Sequence, residues 1–182
     1  MPKEPVQLTR ATRLINSGPV VLVTAWSGGQ ANVMAASWAM PVSSEPPLVA
    51  VAISPKRFTH ALIKDSAVFV LNIPNASLAK QVKLCGSIIG DMMDKFKETG
   101  LTQVPASKVR PPLIKECVGH LECALIQAID VGDHTVFVGQ VLAAWVETGT
   151  FEGVWLVERE DAKLLHHLGG SSYCIPKGRF DV

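Results

Sequence analysis

The stretch VGHLECALIQAIDVGDHTVFVGQVLAAW, residues 118–145, carries the strongest fold signal in the chain. β-branched and aromatic residues recur on both sides of Gly132-Asp133-His134, and Gly and Asp are common turn residues. The pattern predicts two long strands, over residues 118–131 and 135–145, joined as a hairpin.

Outward from this hairpin, four other apolar and β-branched runs predict strands, over residues 20–26, 31–40, 48–53 and 67–73. Gly28-Gly29 predicts a second hairpin, between the first two of these runs. Short helices are predicted over residues 59–65, 77–84 and 91–99, with Thr59 as the N-cap of the first. Residues 105–112 are predicted to be an irregular connection.

Many antiparallel strands with few short helices indicate a mainly β protein, a β-barrel with short helical insertions. The chain lacks the regular strand–helix alternation of a doubly wound sheet, and it has no G-x-G-x-x-G. With 182 residues and no internal linker, residues 1–182 are expected to form a single domain.

The amino-acid composition limits the classes of binding partner that can be expected. Seventeen Lys and Arg residues against 16 Asp and Glu residues give almost no net charge, so neither nucleic acid nor an anionic membrane is expected. Hydrophobic residues make up 48% of the chain and predict a large subunit interface, hence a homodimer. No secretory signal is visible, and four cysteines without metal-type spacing predict a cytoplasmic protein with reduced thiols.

The segment Ser54-Pro55-Lys56-Arg57-Phe58-Thr59-His60 is the first candidate site. It lies where a buried strand ends and a helix begins, and the free N–H groups of a helix start favour an anion. Lys56 and Arg57 can neutralise a phosphate, and Ser54 and Thr59 can donate hydrogen bonds to it. A solvated turn with Thr59 as a simple cap is an equally good interpretation of this segment alone.

The segment Asn32-Val33-Met34-Ala35-Ala36-Ser37-Trp38 is the second candidate. Its small side chains would let a flat ligand approach the backbone, whose N–H and C=O groups can meet a heteroaromatic edge. For isolated residues an ordinary core strand is the better interpretation, with Trp38 as packing.

Two further segments contain histidine. At the tip Gly132-Asp133-His134-Thr135, His134 held by Asp133 could meet a nicotinamide or substrate, although a plain turn has the same composition. His166 and His167 are adjacent and do not share a face in a strand or helix, so no metal site is expected. Residues 169–173 also fail the G-x-S-x-G nucleophile pattern, because Tyr173 replaces the last glycine.

In this order, the segments resemble those of the flavin reductase-like family of FMN-binding split barrels, which includes flavoredoxins and ferric reductases. Each motif is weak alone, and the ordered set is specific. The matching residues are 32–38, Pro41-Val42-Ser43, 46–51, Ser54-Pro55-Lys56-Arg57, Thr59-His60, Cys85-Gly86, Asp94-Lys95-Phe96 and Gly132-Asp133-His134-Thr135.

The resemblance implies a six-stranded split barrel with a Greek-key element, dimerised with each FMN near the subunit boundary. It places the isoalloxazine and ribityl chain against residues 32–38, largely through backbone: Asn32, Val33, Met34, Ala35, Ala36, Ser37 and Trp38. By the same resemblance, the 5′-phosphate is bound by Ser54, Lys56, Arg57 and Thr59. The ribityl and phosphate side of the ligand lies along Cys85, Gly86 and Ser87, and Lys95 approaches the flavin. His134 would be the catalytic residue at the flavin face, contributed in one arrangement by the partner subunit.

The function implied is an oxidoreductase that takes electrons from NAD(P)H or a redox partner and passes them to flavin, Fe(III) or a protein acceptor. A non-enzymatic electron carrier of the flavoredoxin type is the alternative, and flavin storage without turnover is a weaker one. The Asn-Val-Met form at residues 32–34, in place of the Asn-Gly-x-Thr form of stand-alone flavin reductases, favours tightly bound FMN.

Overall fold

Eleven strands and three helices make up the regular structure in the computed structural model, which describes residues 5–87, 93–180 and 182. The strands are β1 Val21–Ser27, β2 Gln30–Ala36, β3 Ala39–Ser44, β4 Pro47–Ile53, β5 Val68–Ile73, β6 Gln103–Val104, β7 Leu113–Ile114, β8 Gly119–Val131, β9 His134–Val146, β10 His166–Gly169 and β11 Ser172–Cys174. The α-helices are α1 Phe58–Ser66, α2 Ala79–Ser87 and α3 Lys95–Thr99, and 3-10 turns span Leu8–Leu14, Ala76–Leu78 and Glu160–Ala162.

Seven of these strands form one antiparallel sheet in the order β2-β1-β5-β8-β9-β4-β3. Its two edge strands, β2 and β3, are consecutive in the chain, and only Ser37 and Trp38 separate them. The Ala52 amide of β4 donates a hydrogen bond of 2.9 Å to the Trp38 carbonyl at this point. Because two residues must bridge the two edges, the sheet curls round into a barrel.

The core has two parts, and β1 contributes to both because alternate residues of a strand face opposite sides. Val21 and Val23 point into the barrel with Phe69 and Phe137. Leu22 points outward, where the side chains of α2 and α3 cover it. The helix α1 connects β4 to β5 and adds Leu62 and Ile63 to the barrel interior. The start of α1 is therefore held rigidly at the barrel wall.

The hairpin predicted from residues 118–145 is present as β8 and β9, which pair from Val131 and His134 at the tip down to Gly119 and Val146. A glycine is required inside it at Gly139. A Cβ atom there would lie 2.5 Å from a ring carbon of Phe69, closer than real Cβ atoms come. The large ring of Phe69 thus fills the barrel interior against a strand that has no side chain at that position.

Several predicted bounds were wrong. The predicted strand 31–40 divides into β2 and β3, so the main sheet has seven strands rather than six. The helix predicted over 77–84 is α2, which runs later along the chain. The helix predicted over 91–99 is α3, which starts at Lys95 after the N-cap Asp94, and residues 91–92 lie outside the described residues. No helix in the described ranges is long and apolar enough to cross a membrane.

Candidate functional site

Three adjoining depressions surround the turn between β4 and α1. The open cleft, of about 400 Å³, is lined by Met34, Ala35, Ala36, Ser37, Trp38, Ala52, Ile53, Ser54, Lys56, Arg57 and His134. The cationic pocket, of about 210 Å³, is lined by Asn32, Met34, Ala35, Lys56, Arg57, Phe58, Thr59, Cys85, Gly86 and Lys95. Ala35 and Arg57 line both, so the two form one continuous concavity.

The cationic pocket holds three basic side chains, Lys56, Arg57 and Lys95. Among the described residues, no carboxylate lines this pocket and none forms an ion pair with these three groups. Like charges brought together beside a helix start repel one another, and an anion relieves that repulsion. The pocket is therefore suited to a phosphate or a similar anion.

Lys95 is buried, with 5% of its surface exposed. Its Nζ donates a hydrogen bond of 2.9 Å to the Cys85 carbonyl, although an ammonium carries three donors. Burial lowers the pKa of Lys95, and the nearby Arg57 charge lowers it further. Within the ranges that the structure describes, two donors of this ammonium have no partner.

Thr59 does not cap α1 as predicted. Arg57 occupies the N-cap position without a side-chain hydrogen bond, and Thr59 lies inside the helix with no exposed surface. Asn32 Nδ2 donates a hydrogen bond of 2.7 Å to Thr59 Oγ1. Because Thr59 accepts this bond, its own hydroxyl hydrogen remains for a ligand in the cationic pocket.

The open cleft has small side chains on its floor, Ala35, Ala36 and Ser37, and rings at its rim. The Trp38 and His134 rings lie 4.7 Å apart between centroids. His134 Nδ1 donates a hydrogen bond of 2.7 Å to Asp133, and Nε2 has no partner among the described residues. A floor of this kind admits a flat heterocycle, with the two rings at its edge. Trp38, at 43% exposure, is not the core residue that the strand interpretation predicted.

Reasoning from sequence missed a third depression, the tail pocket, of about 380 Å³. It borders Arg57 and Gly86 and includes the hairpin residues His167, Gly170, Ser171 and Tyr173. His167 Nε2 donates to the Gly170 carbonyl at 3.1 Å, while the Ser37 hydroxyl donates to its Nδ1 at 3.3 Å. Gly169-Gly170 was the available signal, because it marks a turn that returns Tyr173 alongside His167.

The structure brings together all the predicted site residues but one. Ser87 lines the tail pocket, and the others line the open cleft or the cationic pocket. The exception is Val33, whose side chain is buried in the core beneath α2 and α3. Burial raises the pKa of Cys85 to about 11, so this residue contributes a neutral thiol to the pocket wall.

Comparison of the sequence with known proteins gives a family match over most of the chain. The sequence model of one protein family, the flavin reductase like domain, matches residues 13–170. An uncharacterized protein of Pyrococcus abyssi is 43% identical over 141 residues, which are 78% of this chain and 81% of that protein.

Solved structures show the same fold. An FMN-binding protein of Thermus thermophilus, with bound p-hydroxybenzaldehyde, matches with a TM-score of 0.85 and 27% identity over 100% of this chain and 99% of that chain. The flavoredoxin of Desulfovibrio vulgaris (Miyazaki F) matches with a TM-score of 0.86 and 26% identity, covering 100% of this chain and 96% of that one. In both, the whole mainly β architecture is shared.

Proposed function

The chain belongs to the flavin reductase-like domain family, and on that premise we propose that it is a redox protein that binds FMN in the open cleft and the cationic pocket. It takes electrons from NAD(P)H or a redox partner and passes them to flavin, Fe(III) or a protein acceptor. The observation that carries the proposal is the cluster of Lys56, Arg57 and Lys95, in a pocket that no described carboxylate lines, beside a cleft lined by the small side chains of residues 35–37.

The residues present fit FMN. Its phosphate would be held by the three cations together with the Thr59 hydroxyl and Ser54. Gly86 keeps the pocket open, since a Cβ there would lie 3.7 Å from the Cβ of Ala35. The ring system would lie on the cleft floor, with backbone groups of residues 34–37 at its edge. In the part of the chain that the structure describes, nothing comparable to the cationic pocket supports an adenylate, so FMN fits better than FAD.

Bound FMN supplies the electron-transfer chemistry, and the protein supplies binding, orientation and electrostatics. Lys95, Arg57 and Lys56 would neutralise the phosphate and fix one end of the ligand. The half-buried floor residues Ala35, Ala36 and Ser37 would cover one face of the ring system. His134 stands at the rim, oriented by Asp133, with Nε2 available to a substrate or donor that approaches the open face.

The cofactor is tested by releasing the chromophore of the purified protein with acid and identifying it by chromatography. FMN is expected. Recovery of FAD, or a colourless protein that ignores added FMN, would contradict the assignment.

A carrier of the flavoredoxin type is the second candidate, supported by the likeness to the Desulfovibrio vulgaris flavoredoxin. Steady-state oxidation of NADH and NADPH separates the two. A reductase turns over with a pyridine nucleotide and an added acceptor, while a carrier shows almost no turnover until its donor protein is supplied.

We also propose that the protein is a homodimer. Large apolar side chains are exposed on the long hairpin: Ile126, Ile129, Val131, Leu142 and Trp145. Others are exposed at and beside the edge strand β3: the cleft residue Trp38, Met40 and Val42. An exposed apolar surface of this extent is typical of a protein–protein interface. Light scattering at dilute concentration is expected to give twice 19.5 kDa. A monomer that still binds FMN tightly would contradict a site at the subunit boundary.

A further inference from the structure

The first turn of α1 is held from two sides by buried hydrogen bonds. Thr59 is bonded to Asn32 of β2, as described above. The next residue, His60, is bonded on the other side, where its Nε2 lies 2.9 Å from Thr135 Oγ1 of β9. The turn that carries Lys56 and Arg57 is thereby attached to two different strands of the barrel.

The direction of the second bond follows from counting hydrogens. Thr135 has one hydroxyl hydrogen, and it is donated to Asp130 Oδ1 at 2.6 Å. Thr135 Oγ1 can therefore only accept from His60, whose Nε2 must carry a hydrogen. Burial lowers the pKa of His60, with the Lys64 charge adding to the effect and Asp130 opposing it. The result is a chain of donors running from neutral His60 through Thr135 to the carboxylate of Asp130.

Two members of this chain, His60 and Thr135, each lie one residue from the candidate site. His60 follows Thr59 of the cationic pocket, and Thr135 follows His134 of the open cleft. Asp130 lies opposite Thr135 in the β8–β9 hairpin, so the hydrogen bond between their side chains links the two strands next to the turn. The Phe137 ring packs edge-on against His60, 5.0 Å between centroids, and covers the histidine end of the chain.

We propose that His60, Thr135 and Asp130 are positioning residues, which hold the His134 tip at a fixed place relative to the phosphate-binding turn. The chain rests on the proposed function for its purpose, since it would set the distance between the two ends of one bound FMN. His134 is the first residue of β9, where Val131 pairs with it and Thr135 pairs with Ile53 of β4, and the side-chain hydrogen bonds add to this backbone pairing.

The test compares Thr135→Val, which removes the hydroxyl and keeps the β-branched shape, with Thr135→Ser, which keeps the hydroxyl. Thr150→Val is the matched control, because Thr150 is also buried and its hydroxyl donates to the Glu147 carbonyl, away from the site. The first measurement needs no flavin: the NMR signal of the His60 Nε2 hydrogen. It is expected to be protected from exchange in the unaltered protein, in Thr135→Ser and in Thr150→Val, and to be lost in Thr135→Val.

The second measurement uses the protein loaded with FMN, and follows the visible circular dichroism of the flavin and its rate of reduction by NADH, NADPH or the donor protein. Thr135→Val is expected to change the dichroism and to slow reduction by roughly tenfold, a loss of about 1.4 kcal/mol. In a His134→Ala background the same change should add almost nothing, since coupled residues are not additive.

Four outcomes would overturn the positioning role. Free-energy changes that simply add in the double variant, or dichroism unchanged in Thr135→Val, would overturn the positioning role while leaving the FMN assignment intact. Loss of the His60 signal in Thr150→Val would equally overturn it, as a general loosening. An unaltered protein that binds no FMN at all would overturn the proposed function, and the positioning role with it.

Discussion

Glu122 and Lys95 are two charged side chains buried to almost the same extent, with 0% and 5% exposed surface, and their surroundings differ completely. Glu122 accepts four hydrogen bonds, from the Ser107 amide and hydroxyl, the Lys108 amide and the Trp145 indole. Lys95 donates one, to a carbonyl. A buried charge is expensive unless its partners are complete. Among the residues described, Glu122 thus has a full set of hydrogen-bond donors around it, whereas Lys95 has one acceptor.

The pKa values reflect the same difference. Burial alone would raise the pKa of Glu122, but the hydrogen bonds from Ser107, Trp145 and Lys108 outweigh it, and the pKa lies below its usual value. Burial lowers the pKa of Lys95, and the opposing effect of Cys85 is too small to cancel this change. Glu122 is completed by the protein itself, and fixes the irregular 105–112 connection against β8. Within the described ranges, Lys95 has only the Cys85 carbonyl as a hydrogen-bond partner.

The largest expected effect concerns the two exposed members of the cationic cluster. Replacing both Lys56 and Arg57 by Ala should weaken FMN binding on the order of a hundredfold or more, since a charge-assisted contact contributes roughly 1.5–3 kcal/mol. Riboflavin binding should change little, because riboflavin lacks the phosphate. Isothermal titration with both ligands measures the difference, and Lys64→Ala on the same helix is the control. Equal losses for both flavins would show damage to the ring site or the fold.

Lys95→Met tests the buried charge that has few hydrogen-bond partners among the described residues. We expect FMN affinity to fall roughly ten- to hundredfold, the equivalent of one charge-assisted bond. The cofactor-free protein should be no less stable than before, because an incompletely paired buried charge is removed and an apolar side chain of similar length replaces it. Urea unfolding and FMN titration provide the two measurements, with exposed Lys97→Met as control. A large loss of stability with unchanged affinity would make Lys95 a structural residue like Glu122.

Glu122→Gln should show the opposite pattern. A Gln amide cannot accept from all four donors, and its NH₂ group would face at least one of them. We expect the free energy of unfolding to drop by about 1–3 kcal/mol, with FMN affinity unchanged. Glu116→Gln is a suitable control, because Glu116 accepts only from the Thr102 amide at an exposed position. Weakened FMN binding without loss of stability would break the comparison.

The smallest expected effect is a dependence of stability on pH. Burial lowers the pKa of both His60 and His120, so below about pH 6.5 the unfolded chain binds protons that the folded one does not. Stability should therefore be fully present above that pH and decline as pH falls toward 5, by at most about 1.4 kcal/mol per pH unit for each histidine. Urea midpoints across this range measure the slope, which His120→Gln should reduce. A flat profile would contradict the neutral state of both rings.

The sequence was sufficient for the parts of the fold that rest on local pattern. The 118–145 hairpin, the apolar strand β4 and the cationic turn after it were all predictable, because alternation and turn chemistry act over a few residues. The break at Ser37 and Trp38 was not, since it follows from closure of the sheet and not from the local run. The roles of Thr59, Glu122 and the His60–Thr135 bond were equally hidden: their partners are 27, 15 and 75 residues away.

Ser37 and Trp38 belong at the same time to the seam of the barrel and to the lining of the open cleft. The circumference of the barrel and the width of the ligand site therefore share one pair of residues, and neither can be altered independently. An inserted residue at this point would increase the circumference of the barrel and the width of the cleft together. For the same reason, a ligand that binds both residues should stabilise the contact between the two edge strands. Amide hydrogens along β2 and β3 should then exchange more slowly once it is bound, while those of central β8 change least.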